Sequence, residues 1–273
     1  MEQVRILITV KTYPVLSRKY GETVCTAGVC KDGRWMRLYP VPFRRLGKTE
    51  QYQKYDWLEC DVVKREDDRR PESYCPADHR QLLPVGHLGT EYNWRERRRL
   101  LLENTPVYTS MDELIREAKA NALSLAVFKP SAIKTFRWKE EERQWNPEYV
   151  ARMRMLDRQG ELFSDERWRK TFKLIPKLPY SFSYRFQDAT GKESELQIFD
   201  WEVGALYWNC MRASDGDEAS ALQKVRQKYL EEFVQTDLHF FVGTTLRFHS
   251  VGPNPWVIVG VFPAPHTKQM ELV

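Results

Sequence analysis

At 273 residues the chain holds enough material for one large domain or two smaller ones, and nine Trp with thirteen Tyr supply ample core. A charged fraction of 30%, a mean hydropathy of −0.61 and no apolar run near the roughly 20 residues that cross a bilayer argue against a membrane protein. The net charge of +5 leans toward acidic partners such as nucleic acid. The opening "MEQVRILITVKTYP" enters a strand-like segment with no signal-peptide pattern, so a cytoplasmic location is expected. Cys25, Cys30, Cys60, Cys75 and Cys210 are odd in number and form no C-x-x-C pair, which points to reduced thiols rather than disulfides or a zinc site.

In chain order, "VRILITV" (4–10), "ETVCTAGVC" (22–30) and "WMRLYP" (35–40) read as strands, the last two joined as a hairpin through Lys31-Asp32-Gly33. Residues 41–55 have mixed polarity with helical character, and "DWLECDVVK" (56–64) alternates as a fourth strand. Three strands, a helical connection and a fourth strand is the order of an OB barrel that still needs a fifth strand. Residues 65–90 read as a loop-rich insertion and "EYNWRERRRLLLEN" (91–104) as a helix. In "SMDELIREAKANA" (110–122), Ser110 and Glu113 form a capping box ahead of an apolar face of Met111, Leu114, Ile115 and Ala118. "LSLAVFKP" (123–130) is then assigned as the fifth strand of the first barrel.

From 133 the order restarts with "IKTFRW" (133–138), "YSFSYRF" (180–186) and "ESELQIFD" (193–200), the last two paired across a turn-rich link. Asp200 caps a helix with Val203, Leu206, Tyr207 and Cys210 on one face, and "DEASALQKVRQKYLEEFV" (217–234) buries Leu222, Val225, Tyr229 and Phe233. "DLHFFVGTTLRFHS" and "PWVIVGVF" close the chain as strands joined through Gly-Pro-Asn-Pro. The expected fold is therefore α+β, with two OB-like β-barrel units carrying helical inserts, over residues 1–130 and 131–273. The halves share an order of elements but no residue repeat.

Motifs for catalysis are sparse. His79, His87, His239, His249 and His266 form no H-x-x-x-H or H-E-x-x-H pattern, and neither a G-x-S-x-G nor a Walker A loop occurs, so no cofactor is implied. His239 and His249 both fall in the final strand region, where they could approach across a hairpin, and read more simply as two partly exposed strand histidines without a carboxylate partner. Asp200 and Glu202 of "DWE" could hold a divalent ion in a nuclease, but an N-cap and a first-turn acid explain them more simply. In "RERRR" (95–99) the arginines do not share one helical face, and Arg99 can pair with Glu103, so a solvated or interaction-making helix is expected.

Basic and aromatic residues interleave at two places. "KTYPVLSRKY" brings Lys11, Tyr13, Arg18 and Lys19, and "RWMRLYPVPFRRL" brings Trp35, Arg37, Tyr39, Arg44 and Arg45. On a strand, Met36 and Leu38 face one way and Trp35, Arg37 and Tyr39 the other. Strands 2 and 3 of an OB barrel are where single strands lie, with bases stacked on aromatics and phosphates met by cations. These residues are the candidate surface.

The strings "ILITVKTYP", "ETVCTAGV", "WMRLYPVPFRRL" and "YDWLECDVV" resemble the start of the dual OB domain family, bacterial proteins of conflict and phage-defence neighbourhoods. "PYSFSYRF", "DWE" and "FFVGTTLRFHSVGPNPWVIVGVFPAP" extend the resemblance over most of the chain. It implies two OB-like units and nucleic-acid binding. Relatives often carry Cys and His just before "DWE"; here "RFQDATGKESELQIFDWE" has neither, so no zinc knuckle and no metal site is expected. The expected function is a recognition or adaptor protein of a defence system. It binds single-stranded DNA or RNA beside an enzymatic protein partner. A metal-dependent nuclease or nucleotide-processing enzyme, and a protein-interaction module, are the alternatives.

Overall fold

Strand β1 (Glu2–Lys11) is apolar at nearly every inner position because both of its faces are covered. Ile6 and Ile8 enter one core, while Leu7 and Val10 enter another. Strict alternation would put Val10 beside Ile8; a bulge at Thr9, where Ile8 pairs with Gly28 and Val10 with Ala27, turns it to the other face. The computed structural model describes residues 1–17, 19–47, 49–159 and 174–266.

The first half of β1 pairs with β5 (Asp56–Lys64) and the second with β3 (Gly21–Cys30), both antiparallel. β3 continues into β4 (Trp35–Val41), and β6 (Ser73–Pro76) runs parallel to β4 and antiparallel to β5. The ring β1-β3-β4-β6-β5-β1 is a closed five-strand barrel in the strand order of an OB fold. Its interior holds Val4, Ile6, Ile8, Val24, Met36, Leu38, Leu58 and Val62. A Cβ on Gly28 would lie 2.1 Å from the Leu7 carbonyl oxygen, so the close crossing of β1 and β3 needs glycine there. The short β2 (Val15–Ser17) flanks β3, and β7 (Leu83–His87) flanks β5.

Two expectations change here. The fifth strand is Ser73–Pro76, inside the segment read as a loop-rich insertion, because four residues carry too little alternation to stand out. Between β4 and β5 the described residues hold a single 3-10 turn, Phe43–Arg45, in place of the expected helical connection. Leu125–Phe128 joins the other sheet.

That sheet follows α1 (Glu91–Arg98), in which Tyr92, Asn93 and Trp94 have left-handed backbone (φ 50°, 60° and 62°), so the regular helix starts a turn later than predicted. It comprises β8 (Val107–Tyr108), β9 (Leu125–Phe128), β10 (Ala132–Glu140), β11 (Tyr180–Gln187), β12 (Glu193–Ile198), β13 (Asp237–Thr244) and β14 (Trp256–Ala264). Their order is β10-β11-β12-β14-β13-β9-β8. The chain passes from β9 to β10 through Lys129, Pro130 and Ser131, which joins two well-separated positions in that order.

Phe136, Phe182, Tyr184, Phe186 and Phe240 form the aromatic centre of its core, covered by α2 (Met111–Lys119), α4 (Trp201–Ala213) and α5 (Glu218–Arg226). α2 buries Met111, Leu114 and Ala118, and Ser110 Oγ accepts the Glu113 N–H at 3.4 Å, as the capping box predicts. Asp200 caps α4 by accepting the Glu202 N–H, and Leu222, Val225 and Tyr229 are buried as the spacing predicts, while Phe233 is only half-buried. α3 (Pro147–Gln159) lies against β2 and β3. Among the described residues no helix is long and apolar enough to cross a membrane.

A third core joins the halves. Leu7, Val10, Ala27 and Val29 from the outside of the barrel meet Leu125, Val127, Phe241 and Val259 from the second sheet. The arginine run braces this junction. Arg97 donates to the Leu88 carbonyl with its guanidinium 3.6 Å from the Tyr55 ring centroid, and Arg98 pairs with Asp237 at 2.8 Å. Arg99 pairs with Glu96 rather than Glu103.

Candidate nucleic-acid interface

The outer face of β3 and β4 is divided into three parts, and each decides the fate of some predicted residues. Towards Val29 the face lies under the second sheet. Trp35 sits there, its ring 5.8 Å from that of Phe241, so it packs between the units instead of offering a stacking platform. Arg37 is 2% exposed and donates to Ser73 Oγ, Ser124 Oγ and the Ser124 carbonyl at 3.2, 2.8 and 3.0 Å. It bridges β6 and the bend just before β9. The alternation read from the sequence is correct; what covers the second face is protein.

Towards Glu22 the face is covered by α3 and the segment after 174. Arg44 donates to both oxygens of buried Glu22 at 2.9 and 2.8 Å, and the Ile175 N–H reaches the same carboxylate. Arg44 and Arg45 are half-buried. Arg44 is thus a partner of an internal acid rather than a phosphate contact. Tyr13 is a peg: its hydroxyl donates to the Pro176 carbonyl at 2.8 Å and accepts from Trp208 Nε1 at 2.9 Å. A Cβ at Gly204 would fall 2.3 Å from the Tyr13 ring, so α4 needs glycine at this contact. Burial raises the Tyr13 phenol to about 12.

Between these covered ends the face opens at Tyr39. Its ring has the Arg65 guanidinium 5.1 Å above it and the Tyr20 ring 6.0 Å away, edge-on. Exposed Lys19, next to Tyr20, pairs with Asp67 at 3.6 Å. The loop after β1 and the loop between β5 and β6 therefore meet over Tyr39, where OB barrels bind their ligands. Exposed Arg69 and, from the β13–β14 connection, exposed Leu246, Arg247 and Phe248 lie on these loops or their counterpart. Arg70 ties them together by donating to the Thr244 carbonyl. Arg18 lies outside the described residues.

A cavity of about 330 Å³ opens here, lined by Tyr39, Arg37, Arg65, Cys25, Thr245 and Val257 among others. Sequence reasoning missed Arg65, Arg69 and Arg247. The run "KREDDRR" was a usable signal, hidden because the segment read as an insertion rather than as the loop between strands 4 and 5.

Lys11 belongs to a separate cluster. Its ammonium lies 4.0 Å from the Phe43 ring centroid and 4.7 Å from that of Trp201. Burial lowers it to about 8, helped by Lys54 and opposed by Glu202. Lys54 Nζ donates to Asp200 Oδ2 at 3.0 Å and Glu202 Oε2 at 2.7 Å. Burial alone would lower the Lys54 pKa, but Asp200 and Glu202 overcome it and hold the ammonium above its ordinary value. Asp200 is raised to about 6 by burial, against the pull of Lys54. The "DWE" carboxylates are thus taken up by a lysine from the first barrel, a contact no local spacing announces. His239 and His249 are buried rather than partly exposed, because the sheet and the segments packed on it cover them. His239 Nδ1 lies 2.9 Å from the Asp237 carbonyl, and His249 sits between Thr244 and Asn121, with burial lowering both.

Two family descriptions match the chain. Domain of unknown function (DUF8758) covers residues 2–103 and Domain of unknown function (DUF8757) covers residues 107–273. The chain belongs to the DUF8757 family. The DUF8757 segment spans β8 to β14, and the DUF8758 segment holds the closed barrel with β7 and α1. The cavity beneath Tyr39 thus draws its walls from both segments. Among curated proteins none matches the chain.

Proposed function

We propose that this DUF8757 protein is a recognition or adaptor protein that binds single-stranded nucleic acid at the junction of two OB-like units, without cleaving it. Its second unit takes β9 and β10 as one broken first strand. With β11, β12, β13 and β14 following, the sheet then has the same order as the first barrel, and α4 and α5 stand between its third and fourth strands. The observation that carries the reading is the meeting of Tyr39 and Arg65 with Lys19 and Tyr20 above the open part of β3 and β4. It combines an aromatic face with a cationic rim. Leu246, which lines the same cavity, carries the surface onto the second unit, and exposed Arg247 and Phe248 follow it in the chain.

On this reading an enzymatic partner supplies the chemistry, as the resemblance to proteins of defence neighbourhoods implies. The acids a nuclease would use are engaged by Lys54. Fluorescence anisotropy with labelled oligothymidine and oligouridine at low and moderate salt tests the proposal. Affinity should fall as salt rises, and Tyr39→Ala should weaken it by about 1–3 kcal/mol, the worth of one stacked base. Undetectable or salt-insensitive binding sinks it.

A further inference from the structure

The cavity under Tyr39 is more specific than a surface groove. At about 330 Å³ it stands at the lower end of small-molecule sites, which run from about 300 to 1,000 Å³, and so takes one nucleotide rather than a stretch of strand. One wall is apolar, built of Val10, Ala27, Leu125, Val257 and Val259. Arg37, Arg65 and Arg70 contribute to the lining.

These cations are not equivalent. Arg70 is engaged by Asp68 and the Thr244 carbonyl, and Arg65 by Asp67. Arg37 has only neutral acceptors and no ion pair among the described residues; Glu72 reaches it through Ser124, whose Oγ bonds both. Three of the five guanidinium N–H groups are used, which leaves Nε–H and one Nη2–H without an acceptor among the described residues. Burial and the neighbouring Arg70 push Arg37 down to about 10, so it stays a cation at neutral pH, and an incoming anion would offset both effects by its attraction. A second group in the lining is also incomplete. Thr245 Oγ1 is buried without a hydrogen-bond partner among the described residues, and such groups are normally satisfied.

We infer that this cavity binds a single nucleotide, with its base on the apolar wall beneath Tyr39, its polar edge at Thr245 and its phosphate toward Arg37. The site rests on the nucleic-acid reading above and makes it specific: the protein engulfs one nucleotide of the strand, or takes up a free mononucleotide.

Isothermal titration calorimetry with the four nucleoside 5′-monophosphates, adenosine and inorganic phosphate tests this, beside oligonucleotide anisotropy on the same protein. At least one monophosphate binds saturably, and adenosine binds at least about tenfold more weakly than AMP because it lacks the charge-assisted contact. Thr245→Val weakens the tightest monophosphate by about fivefold, one neutral hydrogen bond. Val257→Phe, folded by circular dichroism, abolishes monophosphate binding by filling the cavity. Oligonucleotide binding with no saturable monophosphate binding overturns this inference and leaves the broader reading standing. Adenosine binding as well as AMP, or unchanged AMP binding to folded Val257→Phe, also overturns it. Absence of both kinds of binding overturns the inference and the nucleic-acid reading together.

Discussion

Replacing Lys54 by Met isolates what the junction between "DWE" and the first barrel contributes. The methylene stem is kept and the ammonium is lost, which leaves Asp200, 0% exposed, with no cation within ion-pair distance among the described residues. Removing one partner of a buried pair costs about 3 to 5 kcal/mol, because the remaining charge is stranded. The loss should depend on pH. In the native protein the folded-state pKa of Asp200 is raised to about 6, above its unfolded value, so its contribution is present at low pH and declines as pH rises through that value. Without Lys54 the folded pKa rises further and the decline continues toward pH 8.

The deficit of Lys54→Met should therefore be small at pH 5 and reach its full size near pH 8. Urea denaturation followed by tryptophan fluorescence at both values measures it, and adding Asp200→Asn should restore most of the loss at pH 8. A deficit below about 1 kcal/mol at pH 8, the worth of an exposed pair, would refute the argument, as would an equal deficit at the two pH values.

The core between the units predicts that Phe241→Ala costs about 3 to 5 kcal/mol in the same assay, since its ring is fully buried against Trp35 and Phe262; a change under about 1 kcal/mol would mean the units do not depend on this contact. Thiol titration with Ellman's reagent at pH 8 should find Cys30, Cys60 and Cys210 protected until urea is added, because they are buried and burial pushes Cys30 to about 11 and Cys60 to about 12. Rapid reaction of all five cysteines in the native protein would contradict the packing described.

Much of the fold is legible in local patterns. Period-two alternation marks β4 and β5, and the caps at Ser110 and Asp200 place α2 and α4. The fifth barrel strand, Ser73–Pro76, is not legible, since a four-residue strand takes its identity from pairing with β4 and β5. Leu125–Phe128 shows that a strand can be recognised without its sheet: its run of apolar residues marks a strand, but pairing with β13 decides where it belongs.

The candidate surface divides along the same line. That Trp35, Arg37 and Tyr39 share one face of a strand can be read from their order alone, because backbone geometry alternates side chains whatever surrounds them. That Trp35 and Arg37 are covered, that Arg44 answers Glu22, and that Tyr39 remains at the mouth of a cavity follow from packing between distant segments. Likewise Asp200 was readable as a helix cap, a contact made two residues away, whereas its pairing with Lys54 spans 146 positions. Local geometry is written in neighbouring residues; what covers a face or neutralises a charge depends on segments that folding brings from far along the chain.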